Sequence, residues 1–126
     1  MDLRFTVEGP PIPYQRVGRR GGGRAFKPKR MVEHMERIAE EASVALRDSR
    51  HLWSFADWPT DARYRLEVTA YLPTRRRVDA DNLGKIIMDA LNGVIWADDA
   101  QVSRLEVEKR HDMAAPRTVV LVEVLP

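Results

Sequence analysis

Arg63-Tyr64-Arg65-Leu66-Glu67-Val68-Thr69-Ala70-Tyr71-Leu72, followed at once by Pro73-Thr74, is the stretch on which the fold turns. Tyr64, Leu66, Val68, Ala70 and Leu72 alternate with Arg63, Arg65, Glu67, Thr69 and Tyr71, a period of two that predicts a strand with one face in a core. Pro73 ends it. From Asp81 to Asn92 the period changes to that of a helix. Leu83, Ile86, Ile87, Ala90 and Leu91 make its apolar stripe, while Asp81, Lys85 and Asp89 line up at i, i+4, i+8 on another face. Asn92-Gly93, a pair that tolerates left-handed backbone, stops it.

Working outward, two more strands are predicted at about 102–110 and 117–124, with His111 to Pro116 as the turn between them. Val119 to Val122 is apolar on both faces, which suits a central strand. Upstream, Leu3, Phe5 and Val7 alternate with polar neighbours over 2–8, giving a first strand. Pro10, Pro11 and Pro13 end it, and the run Gly18 to Gly23 argues against regular structure, so about 9–28 reads as a mobile basic loop. Met31, Met35, Ile38, Ala42, Ala45 and Leu46 then share one stripe of a helix over about 29–46, whose other face carries Glu33, Glu36, Arg37, Glu40 and Glu41. His34 on this helix receives no role. Residues 47–62 hold Trp53, Phe55, Trp58 and Pro59 without a period, a loop folded back by its aromatics or an apolar patch for self-association. The order β-α-β-α-β-β predicts a single compact α+β domain over 1–126, with a mixed sheet and two main helices.

Composition narrows the classes of function. The chain has 126 residues, 44% of them hydrophobic and 32% charged, which fits a globular domain and not a disordered one. No apolar run approaches the roughly 20 residues of a membrane span. The N-terminus reads as a strand and not as a signal peptide, so a cytoplasmic location is expected. With no cysteine, disulfides and thiolate metal sites are excluded. The net charge of +2 says little, but its distribution says more. Arg16, Arg19, Arg20, Arg24, Lys27, Lys29 and Arg30 form one acid-free cluster, and Arg75-Arg76-Arg77 a second. Clustered cations attract a polyanion, and arginine forks match phosphate oxygens; a general excess of arginine is the plain alternative.

The second cluster opens an acidic stretch. Asp79 and Asp81 stand one residue apart between the best strand and its helix, and Asp98-Asp99 precede the next strand. Crowded carboxylates repel unless a cation neutralises them, and oxygen-only ligands point to Mg²⁺, with Mn²⁺ as a substitute. Such an ion suits phosphodiester hydrolysis, and Lys85, one turn beyond Asp81, is placed to offset negative charge on a phosphate. Taken singly each residue has a structural reading. Asp79 or Asp81 serves as an N-cap, Lys85 as an i,i+4 partner of Asp81 or Asp89, Asp98-Asp99 as a turn, and Asp89, two turns into the helix, as structure.

The blocks Asp79-x-Asp81-Asn82-x-x-Lys85, Asp89-Ala90-Leu91 and Trp96-x-Asp98-Asp99-x-Gln101-Val102 resemble the signature of the RusA family of Holliday-junction resolvases, over about a fifth of the chain. The resemblance implies that Asp79, Asp81 and Asp99 are metal ligands, that Lys85 is the catalytic lysine, and that Asp98 supports them. It also implies a homodimer that resolves four-way junctions by paired symmetric nicks in DNA recombination and repair, with no small-molecule cofactor. Relatives of this type are often carried by bacteriophages or prophages. The basic residues at 16–30 and 75–77 would then hold phosphates and sense junction shape. A non-catalytic module binding branched DNA, and a metal-dependent nuclease acting on flaps, forks or nucleotides, are the rival expectations.

Overall fold

The computed structural model describes residues 1–15, 18–20, 24–49, 58 and 61–126, with backbone alone at 18–20 and 24–26. Strand β1 (Asp2–Glu8) is followed by a short antiparallel hairpin of β2 (Gly18–Arg20) and β3 (Arg24–Phe26). Helix α1 spans Lys29–Asp48, strand β4 Arg63–Leu72 and helix α2 Ala80–Ala90. A 3-10 turn at Asp99–Gln101 leads into β5 (Val102–His111), and β6 (Arg117–Leu125) closes the chain. The α+β expectation and the order of its principal elements hold. The β2–β3 pair differs from the loop expected over about 9–28: a glycine-rich sequence does not forbid short extended segments.

The sheet order is β1-β6-β4-β5. β6 runs antiparallel to both β1 and β4, while β5 is parallel to β4, so the sheet is mixed and β6 lies inside it as its doubly apolar sequence requires. The turn after β5 therefore carries the chain across the end of β4 and does not form a hairpin. Asp112 N donates to Leu72 O at 2.9 Å on that crossing. The connection from β4 to its parallel neighbour is α2, which packs on β5. Gly84 permits this approach, because a Cβ there would stand 3.0 Å from Leu105 Cδ2 and 3.1 Å from Val107 Cγ2. Gly93, at φ +79°, supplies the left-handed turn just beyond the helix.

The core lies on one face of the sheet, beneath both helices. Leu3, Phe5 and Val7, the alternate residues Tyr64 to Leu72, and Val120 and Val122 meet Met31, Ile38, Ala42 and Leu46 of α1 and Leu83, Ile86 and Ile87 of α2. Trp58 folds back as expected, its ring stacked on Tyr64 at 6.2 Å; Trp53, Phe55 and Pro59 lie outside the described residues. Trp58 Nε1 and the Tyr64 hydroxyl both donate to Ile95 O, and Trp96 packs against Tyr64 at 5.4 Å. Burial is the main reason that the Tyr64 hydroxyl is pushed up to about 12. These aromatics brace the segment between α2 and β5.

His34, to which sequence gave no role, is buried on the inner face of α1. Burial, then the charges of Arg37 and Arg30, lower its pKa from 6.5 to about 4. The unfolded chain therefore binds a proton that the folded chain refuses over this window, and stability falls as pH drops from 6.5 toward 4. The expected loss is about 2 kcal/mol, below the full value of the shift because nearby solvent screens the new charge. Urea unfolding at a series of pH values checks it, with His34→Gln expected to flatten the profile between these limits. An equal slope in both proteins would exclude His34 as the source.

Candidate active site and nucleic-acid interface

The end of the sheet where β4 stops and α2 starts brings together Arg30, Arg75, Arg76, Arg77, Asp79 and Asp81 of the charged residues singled out in the sequence. Arg75, Arg76 and Arg77 are exposed on the connection, and Lys109 of β5 holds its far end by donating from Nζ to Val78 O at 2.9 Å. The proline segment is fixed against the same place, with Tyr14 N donating to Asn82 O at 2.9 Å. Arg30, at the start of α1, lines the cavity between these segments together with Arg76 and Arg77. Lys27 lies apart, near Glu36 and Asp89, and exposed Lys29 pairs with Glu33 at 3.8 Å. Arg16 and the side chains of Arg19, Arg20 and Arg24 lie outside the described residues.

Asp79 occupies the N-cap position of α2, yet its side chain makes no cap hydrogen bond. Asp81 stands in the first turn, exposed. Among the described residues neither carboxylate has a hydrogen bond or an ion pair to a side chain. Two carboxylates without side-chain partners thus stand beside the N–H groups and positive pole of a helix start, which favours negative charge nearby.

The second acidic pair is differently engaged. Asp98 caps the 3-10 turn, accepting from Ala100 N at 2.9 Å while the Gln101 side chain accepts from Asp98 N. Asp99 reaches the far end of α2 and makes side-chain contact with Asp89. Burial, with Asp89 and Asp98 alongside, holds the Asp99 carboxyl above the ordinary carboxylate range. Lys85 pairs with Asp89 at 3.8 Å, and its ammonium lies over the Tyr14 ring at 4.5 Å from the centroid. Asp89 thus joins the acidic group instead of serving only as scaffold. Sequence periodicity contained that signal, because Asp81, Lys85 and Asp89 share one stripe.

The expectation that short loops bring both acidic pairs to one edge does not hold within a single chain. Asp81 and Asp89 are eight residues apart on one helix, about 12 Å along its axis, and Asp99 sits with Asp89. Among the described residues no group of three or more His, Cys, Asp or Glu side chains is placed to hold a metal ion. One protomer therefore presents two separate carboxylate pairs, Asp79 with Asp81 at the start of α2 and Asp99 with Asp89 at its end.

Free paired carboxylates under an arginine rim belong to the chemistry of proteins that handle phosphodiesters. Residues 8–123 match the family model described as endodeoxyribonuclease RusA, and the chain belongs to that family of Holliday-junction endonucleases, which act on branched DNA. No curated protein matches the chain. Among solved structures, the Agrobacterium tumefaciens protein Atu1372, of unknown function, is similar over 96% of this chain and 74% of its own, at 12% identity and a TM-score of 0.44. None of the described helices is long and apolar enough to cross a membrane.

Proposed function

We propose that this chain is a divalent-metal-dependent endodeoxyribonuclease that resolves four-way DNA junctions as a homodimer, making paired symmetric nicks in recombination and repair. The observation that carries the reading is the uncapped pair Asp79 and Asp81 at the start of α2, beside Arg75 to Arg77. The donor set fits Mg²⁺, with Mn²⁺ as a substitute, because it is all carboxylate oxygen and the chain has no cysteine. When bound, such an ion supplies a Lewis acid and a water activated for attack on phosphorus. Asp79 and Asp81 hold it, Asp99 completes the set with Asp98 in support, and Lys85 offers its ammonium to a phosphate oxygen. The arginines of 75–77 and the cations of 16–30 bind the strands by charge and position them without reading bases.

Asp99 of a second copy completes the set of the first. β5 is an edge strand whose outer side pairs with no described strand, and Leu105 on it is 38% exposed. Paired antiparallel with itself about Glu106, β5 sets Arg104 opposite the partner's Glu108 and Leu105 opposite the partner's Val107. Arg65 and Arg104, both within 3.3 Å of Glu106, offset the two glutamates that meet on the axis. A two-residue shift to an axis at Val107 instead places Arg104 against Arg110 and Glu106 against Glu108, two like-charge pairings. α2 packs on β5 and runs opposite to it, so this pairing lays the end of one α2 beside the start of the other. It also gives the two equivalent sites that a junction with two symmetry-related strands requires.

A panel of four-way junction, flap, duplex and single strand, incubated with Mg²⁺, Mn²⁺ or EDTA, tests the reading. Paired nicks confined to the junction and lost in EDTA are expected. Metal-dependent cutting of flaps at an equal rate would favour a general branched-DNA nuclease, and binding without cutting would favour a non-catalytic module. Arg76→Ala is expected to weaken junction binding and to reduce the slope of log K against log salt by about one. An unchanged slope in a salt titration would remove Arg76 from the phosphate contacts.

A further inference from the structure

Between the proline segment and the β4–α2 connection lies a cavity of about 470 Å³, within the range of ~300–1,000 Å³ usual for small-molecule sites. Pro11, Ile12, Met31, Leu72 and Val78 line it with apolar surface. Arg30, Arg76 and Arg77 supply its charge, and no acid is among its described lining residues. A shallower groove shares Pro13, Arg77 and Val78 with this cavity and continues to Asp79 and Asn82. Apolar walls, a cationic rim and an adjoining groove that reaches a carboxylate are three features at one place.

We propose that this cavity receives the base of one unstacked nucleotide of the DNA strand whose phosphate lies at Asp79, and that Gln15 reads its edge. The inference rests on the endonuclease reading of Asp79 and Asp81 and names a subsite which that reading does not contain. A nucleotide joins an apolar face to an anionic link, matching a cavity whose floor is proline, methionine and aliphatic carbon and whose only described charges are guanidinium groups. The shared wall of Pro13, Arg77 and Val78 makes the two depressions neighbours, as the base and phosphate of one strand are. Unstacking costs least where a base already lacks a stacked neighbour, which is the condition at a branch point, so filling this cavity favours a junction over duplex. Gln15 lines the cavity with its backbone N–H donating to Met31 Sδ at 3.1 Å, and its amide carries both a donor and an acceptor for a base edge.

The test scans 2-aminopurine through the nucleotides flanking the crossover of a four-way junction, bound to Asp81→Asn protein so that the strand stays intact. One position is expected to brighten by about threefold or more on binding, as a base leaving its stack does. Gln15→Trp, which fills the cavity, is expected to abolish that rise while thermal melting shows the protein folded. Gln15→Ala is expected to keep the rise in the Asp81→Asn background and, in the otherwise wild-type chain, to relax the base preference at the nick. Brightening without nicking by the parent protein would support the pocket and overturn the endonuclease reading. Nicking with no position brightened, or a rise unchanged in Gln15→Trp, would overturn the pocket alone.

Discussion

Asp81→Asn is expected to lower the rate of junction nicking by about 10²–10³-fold or more, the order that loss of one charge-stabilising group costs a transition state. The same variant is expected to bind the junction as tightly as the parent or more tightly. Both effects follow from one change of charge. Asp81 is exposed in the first turn of α2 and contributes no described hydrogen bond or ion pair, so the fold does not depend on its carboxylate. Asparagine keeps the shape and an oxygen but removes the anion, which weakens the hold on a divalent cation and relieves repulsion of the incoming phosphate. Nicking measured by single turnover on a labelled junction, beside a mobility-shift titration in EDTA, separates the two effects. A variant that cuts at the parent rate would remove Asp81 from the chemistry. A variant that neither cuts nor binds, yet melts normally, would make Asp81 a contact for DNA and not a ligand.

The elements that sequence made legible are those whose surroundings are uniform along their length. β1 and β4 each have one face in the core, α1 and α2 each have one apolar stripe, and the doubly apolar run of β6 announced an interior strand. What sequence could not give was the order of the sheet. β5 and β6 are separated by a five-residue turn that looks like a hairpin, and only packing reveals that β4 lies between them. Likewise the glycine-rich run was read as a loop and did not announce the ladder of β2 and β3.

The carboxylates could be picked out in the sequence, but the distances between them could not. Carboxylates one residue apart can be placed by eye, but Asp99 depends on where the β5 end of the sheet falls relative to α2. Burial of the Trp58, Tyr64 and Trp96 cluster sets that position, and no spacing in the sequence encodes it. The stripe of Asp81, Lys85 and Asp89 held the one overlooked clue, because a shared helix face also fixes how far apart its members are. Periodicity names a face; the rise per residue measures it.

Mixing two inactive proteins, Asp81→Asn and Asp99→Asn, is expected to restore nicking. If the start of one α2 works with Asp99 of the partner subunit, each parent homodimer is broken at both sites, while a mixed dimer has both defects in one site and none in the other. Random exchange makes half the dimers mixed, so about a quarter of wild-type site activity should return. Each rescued dimer has a single working site, so its product should be a junction nicked on one strand and not a resolved pair. Asp79→Asn mixed with Asp81→Asn provides the internal control, since both changes fall in the same half-site and no mixed dimer is intact. The subunits are co-refolded so that exchange is complete, and strand-specific labels distinguish one nick from two. A chain that assembled its metal site alone would give no rescue in either mixture, because every protomer would still carry one damaged ligand.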